Sequence, residues 1–334
     1  MRRVIPMAVT LLAFFVSAPT AQSPAPAQAP PAAQPALPIP TPTPTPTPPP
    51  SSRQSQVFRA AVDIVSLNVT VVDGDTHYVT DLDQPDFTVF EDGVKQDLTF
   101  FNRRQQQIAM SMLLDSSASM EDKLQILQVA AVNFVKRLKP VDLAQIIDFD
   151  SSVQIRQGFT SNQGELESAI LQTQSGGSTS LHNAIYISLK ELRKVKVQNE
   201  EDVRRQALIV FSDGEDTSSL VSFDEVLDLA KRSETAIYTI ALRGADTQTR
   251  GFREAEFVMR QLAQETGGRA FFPSKIEDLN GVYSTIADEL ASQYTLGYTS
   301  RNAKRDGAWR RVVVQVNKAN STPRTKKGYY APTR

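Results

Sequence analysis

The chemistry that this chain could perform begins with three oxygen-bearing side chains at alternate positions, Asp115, Ser117 and Ser119. They follow Met110 to Leu114, an apolar run long enough for a buried strand and too short for a helix. Apolar residues spaced by three and four come directly afterwards and predict a helix. Oxygen atoms at this junction lie where open α/β sheets bind ligands. Without His or Cys they suit a hard cation such as Mg²⁺, although Ser and Asp are also common helix N-caps.

Two further segments place oxygen atoms at similar junctions. Residues 175–180 read S-G-G-S-T-S before a predicted helix, where the glycines let backbone approach a ligand and Thr179 presents a hydroxyl. Residues 211–216 read F-S-D-G-E-D and end a predicted strand with a second carboxylate, Asp213. Each segment alone is also explained by a glycine turn, a helix cap or a strand-end Asp. Their joint occurrence favours one site built from Asp115, Ser117, Ser119, Thr179 and Asp213.

The elements that must position these residues alternate between strand and helix from Ile108 onward. This alternation predicts an α/β fold with a doubly wound, mostly parallel sheet that helices cover on both faces. The predicted strands are Ala109–Leu114, Leu143–Phe149, Ala207–Phe211, Ala236–Leu242 and Ala270–Phe272. The predicted helices are Lys123–Leu138, Gln163–Gln172, Ser180–Lys194, Phe223–Arg232, Glu254–Glu265 and Ile276–Ser292.

The segments that flank this region have β character and opposite charge. Residues 57–100 contain nine acidic and two basic side chains, whereas residues 294–334 contain ten basic and one acidic. Alternating apolar residues in both segments are typical of half-buried strands. We expect the two segments to form a small β module by pairing in one sheet. The alternative is that the basic tail is a free patch for an anionic partner or surface.

The beginning of the chain has the features of an exported protein. A basic start, an apolar core of about 13 residues and a small-residue stretch predict a signal peptide over residues 1–21, since a membrane span needs ~20 apolar residues. Fourteen of the 20 prolines lie in residues 19–50, which predicts an extended, disordered linker over residues 22–56. The alternative is an uncleaved N-terminal anchor. After cleavage we expect no membrane span and a location in the periplasm, outside the cell or at its surface.

The counts of charged residues and of cysteine argue against several classes of protein. The 36 basic and 37 acidic side chains give no support to nucleic-acid binding, which usually shows a strongly basic domain. The absence of cysteine excludes disulfides, thiolate catalysis and zinc–thiolate sites.

The strand and helix patterns described above divide the rest of the chain into an N-terminal β module (57–106), an α/β domain (107–293) and a C-terminal β segment (294–334).

The α/β region resembles a von Willebrand factor type A (VWFA) domain, in which D-x-S-x-S, a later Thr and a later Asp form the metal-ion-dependent adhesion site (MIDAS). The flanking motifs D-F-T-V-F-E-D-G, Y-T-L-G-Y and K-G-Y-Y-A-P are similar to an exported bacterial VWFA-related family common in acidobacteria. The resemblance implies that Ser117, Ser119 and Thr179 bind Mg²⁺ directly, with Mn²⁺ and Ca²⁺ as alternatives. Asp115 and Asp213 would then act mainly through water. One coordination position would stay open for an Asp or Glu carboxylate of a protein partner.

Two other interpretations use different residues. The strand-end motif Asp148-x-Asp150 resembles the aspartyl nucleophile of haloacid dehalogenase-type phosphatases, which would make the chain a Mg²⁺-dependent hydrolase. His182 lies shortly after Thr179 and is either part of the metal rim or a helix-surface residue. A passive structural role in the envelope is a third alternative. No complete set of catalytic groups accompanies Asp148, so we predict a binding protein and not an enzyme.

Overall fold

The structure, a computed structural model, describes residues 63–74, 77–195, 204–212, 215–241 and 250–333. The predicted signal peptide, the predicted linker and Asp213 lie outside these residues. The strands are β1 (Ile64–Asp73), β2 (Phe87–Glu91), β3 (Val94–Gln96), β4 (Leu98–Asn102), β5 (Ile108–Asp115), β6 (Leu143–Phe149), β7 (Val153–Thr160), β8 (Arg205–Ser212), β9 (Ala236–Ala241), β10 (Ala270–Phe271), β11 (Tyr294–Thr299), β12 (Trp309–Val316), β13 (Ser321–Arg324) and β14 (Gly328–Tyr330). The α-helices are α1 (Leu124–Val135), α2 (Gln163–Leu171), α3 (Leu181–Leu192), α4 (Phe223–Arg232), α5 (Arg250–Thr266) and α6 (Leu279–Ser292).

A six-stranded sheet with the order β10-β9-β8-β5-β6-β7 forms the centre of the α/β region. All of its pairings are parallel except that of β7, which runs antiparallel at the edge. Every residue of β5 and β9 is buried, as expected for strands covered on both faces. The predicted doubly wound, mostly parallel sheet is confirmed. Strands β5 and β8 are neighbours, so the carboxyl ends that precede the first and third candidate loops lie side by side.

Helices pack on both faces of this sheet. Met110, Met112 and Leu114 of β5 belong to the core that includes α1, α2 and α6, whereas Ala109 and Leu113 face α3, α4 and α5. This alternation is the period of two that a strand imposes on its side chains. No helix in the described part of the chain is long and apolar enough to cross a membrane.

The flanking segments form two four-stranded sheets, with the orders β13-β1-β11-β4 and β14-β12-β2-β3. Each sheet combines strands from before and after the α/β region, so the expectation of one shared sheet is wrong. The reason is burial: β1 buries Leu67 and Val69 on one face, and β12 buries Val312 and Val314 on one face. These faces share one apolar core, since a sheet with a single apolar face needs a second layer to cover it.

Opposite charges of the two flanking segments meet in this sandwich. Arg301 lies 2.6 Å from Asp97 and Lys318 lies 2.9 Å from Asp81, both at the surface. Arg305 pairs with Asp63 in the same way. A large part of the basic tail therefore finds its counter-charge in the acidic segment.

A buried carboxylate, Glu289 of α6, joins the α/β region to the sandwich. Its Oε1 accepts hydrogen bonds from the hydroxyls of Tyr238 at 2.8 Å and Thr70 at 3.5 Å, and it forms an ion pair with Arg324 of β13. Burial raises the pKa of Tyr238 well above its usual value, so this hydroxyl remains a donor. The contact ties α6 and β9 to strands from both flanking segments.

Candidate metal centre

The first candidate loop leaves the carboxyl end of β5 at Asp115, which is fully buried. Its carboxylate accepts hydrogen bonds from the backbone N–H of Ser117 at 2.9 Å and from the hydroxyl of Ser212 at 2.5 Å. The hydroxyl oxygens of Ser117 and Ser119 lie 3.1 Å apart. Ser117 is 1% exposed and Ser119 is exposed, so the hydroxyl pair reaches solvent on the Ser119 side. Two hydroxyls thus lie together on a loop that a buried carboxylate holds in place.

The second candidate loop is bonded to the first through its two glycines. Gly176 donates its N–H to the carbonyl of Ser116 at 2.7 Å, and Ala118 donates its N–H to the carbonyl of Gly177 at 3.1 Å. Gly177 has φ +71°, and a Cβ there would lie 2.8 Å from the hydroxyl oxygen of Ser151. Only glycine fits this position without displacing its neighbours. The glycines therefore allow a close backbone–backbone contact between the two loops, whereas the predicted approach of this backbone to a ligand stays a prediction.

Thr179 belongs to the second candidate loop and contacts the residues that follow the third candidate loop. It is 5% exposed, and its N–H donates to the hydroxyl of Thr217 at 2.9 Å. Its carbonyl accepts from the N–H groups of Thr217 at 2.9 Å and Ser218 at 3.0 Å. The three loops predicted from the sequence are therefore joined in series, from Ser116–Ala118 through Gly176–Thr179 to Thr217–Ser218. Asp213 is outside the described residues, so its place in the site stays a prediction.

The Asp148-x-Asp150 motif supports the loops. Asp148 is 3% exposed; its Oδ1 accepts from the hydroxyl of Ser116, and its Oδ2 lies 2.6 Å from the guanidinium of Arg156. The carbonyl of Asp150 accepts from the N–H of Ser180 at 2.8 Å and from its hydroxyl at 2.7 Å. Both carboxylate oxygens of Asp148 thus have partners within the protein, one in the first loop and one on β7.

His182 and Asn183 of α3 form hydrogen bonds with the end of the third loop and the residues that follow it. His182 donates its N–H to Asp216 at 3.3 Å, and its Nδ1 lies 3.5 Å from the same carboxylate, which also accepts from the hydroxyl of Ser219 at 2.6 Å. The side-chain oxygen of Asn183 accepts from the N–H of Val221 at 3.2 Å. The side chain of His182 is half-buried, with 14% of its area exposed, and lies against the carboxylate of Asp216. The sequence points to His182 but not to these contacts, because each partner lies more than 30 positions away in the chain.

A family model described as the von Willebrand factor type A domain matches residues 110–285, which is more than half of the chain. The chain belongs to the von Willebrand factor type A domain family. The matched range contains all five predicted site residues and all six strands of the central sheet apart from the first two residues of β5.

Solved structures similar to this VWFA protein have low sequence identity. The vWF domain of the type V pili tip protein Mfa5 from Porphyromonas gingivalis is 12% identical with a TM-score of 0.46, over 55% of this chain and 95% of that chain. The PilB minor pilin from Streptococcus sanguinis is 12% identical with a TM-score of 0.46, over 56% of this chain and 62% of that chain. A von Willebrand factor type A protein from Catenulispora acidiphila is 8% identical with a TM-score of 0.47, over 82% and 76%. A comparison with curated proteins finds no match.

The donor set of this VWFA domain fits a hard divalent cation. Ser117, Ser119 and Thr179 carry neutral hydroxyl oxygens, those of the two serines lie 3.1 Å apart, and the buried carboxylate of Asp115 accepts from the N–H of Ser117. Oxygen donors of this kind suit Mg²⁺ better than softer metals. Across the described ranges, no group of three or more His, Asp and Glu side chains could hold a metal ion.

Proposed function

We propose that this VWFA protein is an exported binding module that captures a protein partner through a Mg²⁺ site. Ser117, Ser119 and Thr179 would hold the ion directly, and Asp115 and Asp213 would hold it through water. When bound, the ion supplies a positive centre for an Asp or Glu carboxylate of the partner. The observation that carries the proposal is the pair of hydroxyl oxygens 3.1 Å apart on a loop anchored by the fully buried Asp115.

The residues around the hydroxyls fix their positions before any ligand arrives. Asp115 holds the N–H of Ser117, and Asp148 holds the hydroxyl of Ser116. Thr179 is held at both its N–H and its carbonyl by the third loop. Pre-organised donors lower the entropy lost on binding, which favours affinity for a small ion. The same hydrogen bonds keep the partner-facing surface rigid.

Export and the absence of catalysis are parts of the same proposal. The signal-peptide pattern of residues 1–21 and the proline-rich residues 19–50 support a folded region displayed in the periplasm, outside the cell or at its surface. The phosphatase alternative needs a free carboxylate at Asp148, whereas this carboxylate is 3% exposed and bonded to Ser116 and Arg156. The geometry therefore supports binding over hydrolysis.

Isothermal titration calorimetry of Mg²⁺ into metal-free protein tests the proposal. We expect saturable heat with the wild type, no saturable heat with the double variant Ser117→Ala/Ser119→Ala, and wild-type heat with the control Ser218→Ala. Ser218 lies near the third loop and its hydroxyl has no hydrogen-bond partner among the described residues, so the control removes a nearby hydroxyl that the proposed site does not use. Thermal unfolding without Mg²⁺ should be similar for all three proteins.

Equal heats in the wild type and the double variant would reject the metal site. Release of phosphate from a chromogenic monoester, lost in Asp148→Asn, would instead favour the hydrolase. A pull-down from the exported fraction with and without EDTA addresses the partner, since a passive structural protein would keep its partner after the metal is removed.

A further inference from the structure

A cleft of about 880 Å³ lies between the C-terminal ends of α3 and α4 and the edge of the β sandwich. It shares no residue with the candidate metal centre. Seven of its lining side chains are cationic, and two are acidic, Asp63 and Glu234. Its volume lies in the range of ligand sites in proteins, about 300–1,000 Å³.

Four of these cations have counter-charges nearby. Arg305 pairs with Asp63, Arg232 lies 2.7 Å from Asp228, and Lys231 lies 3.3 Å from Glu265. Arg310 is 2% exposed; it lies 3.5 Å from Glu91 and 3.4 Å from Asp306. These side chains build the walls of the cleft, and their charges are largely compensated.

The other three cations carry the surplus charge. Within the described residues, Arg193 at the end of α3 and Lys304 between β11 and β12 take part in no ion pair. Lys326 lies 3.8 Å from Glu234, a long contact to a carboxylate that is 68% exposed, while the Lys326 side chain is only 13% exposed. Burial lowers the pKa of Lys326, which shows that its ammonium group is poorly solvated. An anion in the cleft would compensate all three.

Residues 1–62, which precede Asp63 in the sequence, contain no Asp or Glu and so bring no acidic side chain to the lining. The whole chain has a net charge of −1, so the positive charge is a local feature of the cleft. A protein with this overall charge does not attract long polyanions over its whole surface.

We propose that this cleft binds an acidic peptide segment of a protein partner, with carboxylates spaced to meet Arg193, Lys304 and Lys326. The three cations come from three different parts of the fold, and the acidic groups Asp63 and Glu234 line the same cleft. Separate positive positions suit the spaced carboxylates of an extended peptide, whereas a phosphate backbone or an anionic membrane is met by a continuous basic surface. The proposal concerns a second surface and does not depend on the metal centre.

Fluorescence anisotropy with a fluorescein-labelled octaglutamate peptide tests the proposal on the full chain. The cleft variant is Arg193→Glu/Lys304→Glu, and the control is Lys95→Glu/Lys190→Glu, which makes the same change in net charge at exposed lysines outside the cleft. We expect the cleft variant to raise the dissociation constant about tenfold or more and the control to change it less than about twofold. Binding should weaken with salt and should be unchanged by EDTA. Thermal unfolding checks that both variants are folded.

Equal weakening by the two double variants would show non-specific charge attraction and overturn the proposal. So would failure of the wild type to bind octaglutamate at about 150 mM NaCl. Binding of a sulfated oligosaccharide or of anionic vesicles in place of the peptide would assign the cleft to another class of ligand. Loss of peptide binding in EDTA would assign the peptide to the metal centre.

Discussion

Asp115 and Glu289 both carry fully buried carboxylates, but the two carboxylates have different kinds of partners. Glu289 is paired with a cation of the protein itself, Arg324, and accepts from Tyr238 and Thr70. Asp115 accepts from a backbone N–H and a serine hydroxyl, beside the exposed Ser119. The first carboxylate sits at a contact between two regions of the fold, and the second at the edge of a loop cluster open to solvent.

The difference shows how one charge type serves two purposes. A buried ion pair with internal partners holds elements together, because loss of one member leaves an uncompensated charge. A buried carboxylate whose neighbours are hydroxyls on a solvent-facing loop orients those hydroxyls for a ligand. We therefore expect substitutions near Glu289 to change stability and substitutions near Asp115 to change metal binding.

The largest effect is expected from Glu289→Ala. This change leaves Arg324 without its partner at the contact between α6 and β13, and we expect a loss of about 3 kcal/mol or more in the free energy of unfolding. The matched control is the adjacent Asp288→Ala, which removes an exposed pair with Arg137 at 2.9 Å and should cost about 0–1 kcal/mol. Urea unfolding of the three proteins measures both values. Similar losses for Glu289→Ala and Asp288→Ala would contradict the role given to the buried pair.

Gly177→Ala is expected to lower the unfolding free energy less than Glu289→Ala does, and to weaken the affinity for Mg²⁺ as well. The new Cβ would meet Ser151 at 2.8 Å in a backbone with φ +71°, so the second loop must move away from Ala118. We expect a loss of about 1–2 kcal/mol in unfolding free energy and a weaker affinity for Mg²⁺. Gly176→Ala is the control, since nothing lies within 4 Å of its added Cβ. Calorimetric titration should give a weaker affinity for Mg²⁺ with Gly177→Ala than with Gly176→Ala. Equal affinities would contradict the idea that the contact between the two loops supports metal binding.

The central sheet could be predicted because its strands are apolar over their whole length and its helices have clear ends. Helix α4 matches its predicted bounds, and Ser222 and Glu225 form a capping box at its start. Strand β7 was not predicted because it lies at the edge and most of its residues are exposed or half-buried. The short strands β3 and β13 were missed for a related reason, since three or four residues give little periodicity. The division of the flanking strands into two sheets depends on packing that alternation alone does not encode.

The candidate site could be predicted only in part. The spacing of Asp115, Ser117 and Ser119 is local, so the strand-end position of these residues was visible in the sequence. The contacts that fix the loops are not local: Ser116 meets Asp148 and Thr179 meets Thr217 across 32 and 38 positions. The sequence draws attention to the carboxylate of Asp148, but its partners Ser116 and Arg156 become visible only in three dimensions.

Crystals grown with Mn²⁺, measured at a wavelength where manganese scatters anomalously, test the central claim most directly. The account predicts one anomalous peak bounded by the hydroxyls of Ser117, Ser119 and Thr179, with metal–oxygen distances near those of Mg²⁺ sites, about 2.1 Å. It also predicts that Asp213 lies beside this peak. A peak elsewhere, or an ordered Thr179 hydroxyl well beyond coordination distance of the two serine hydroxyls, would contradict it.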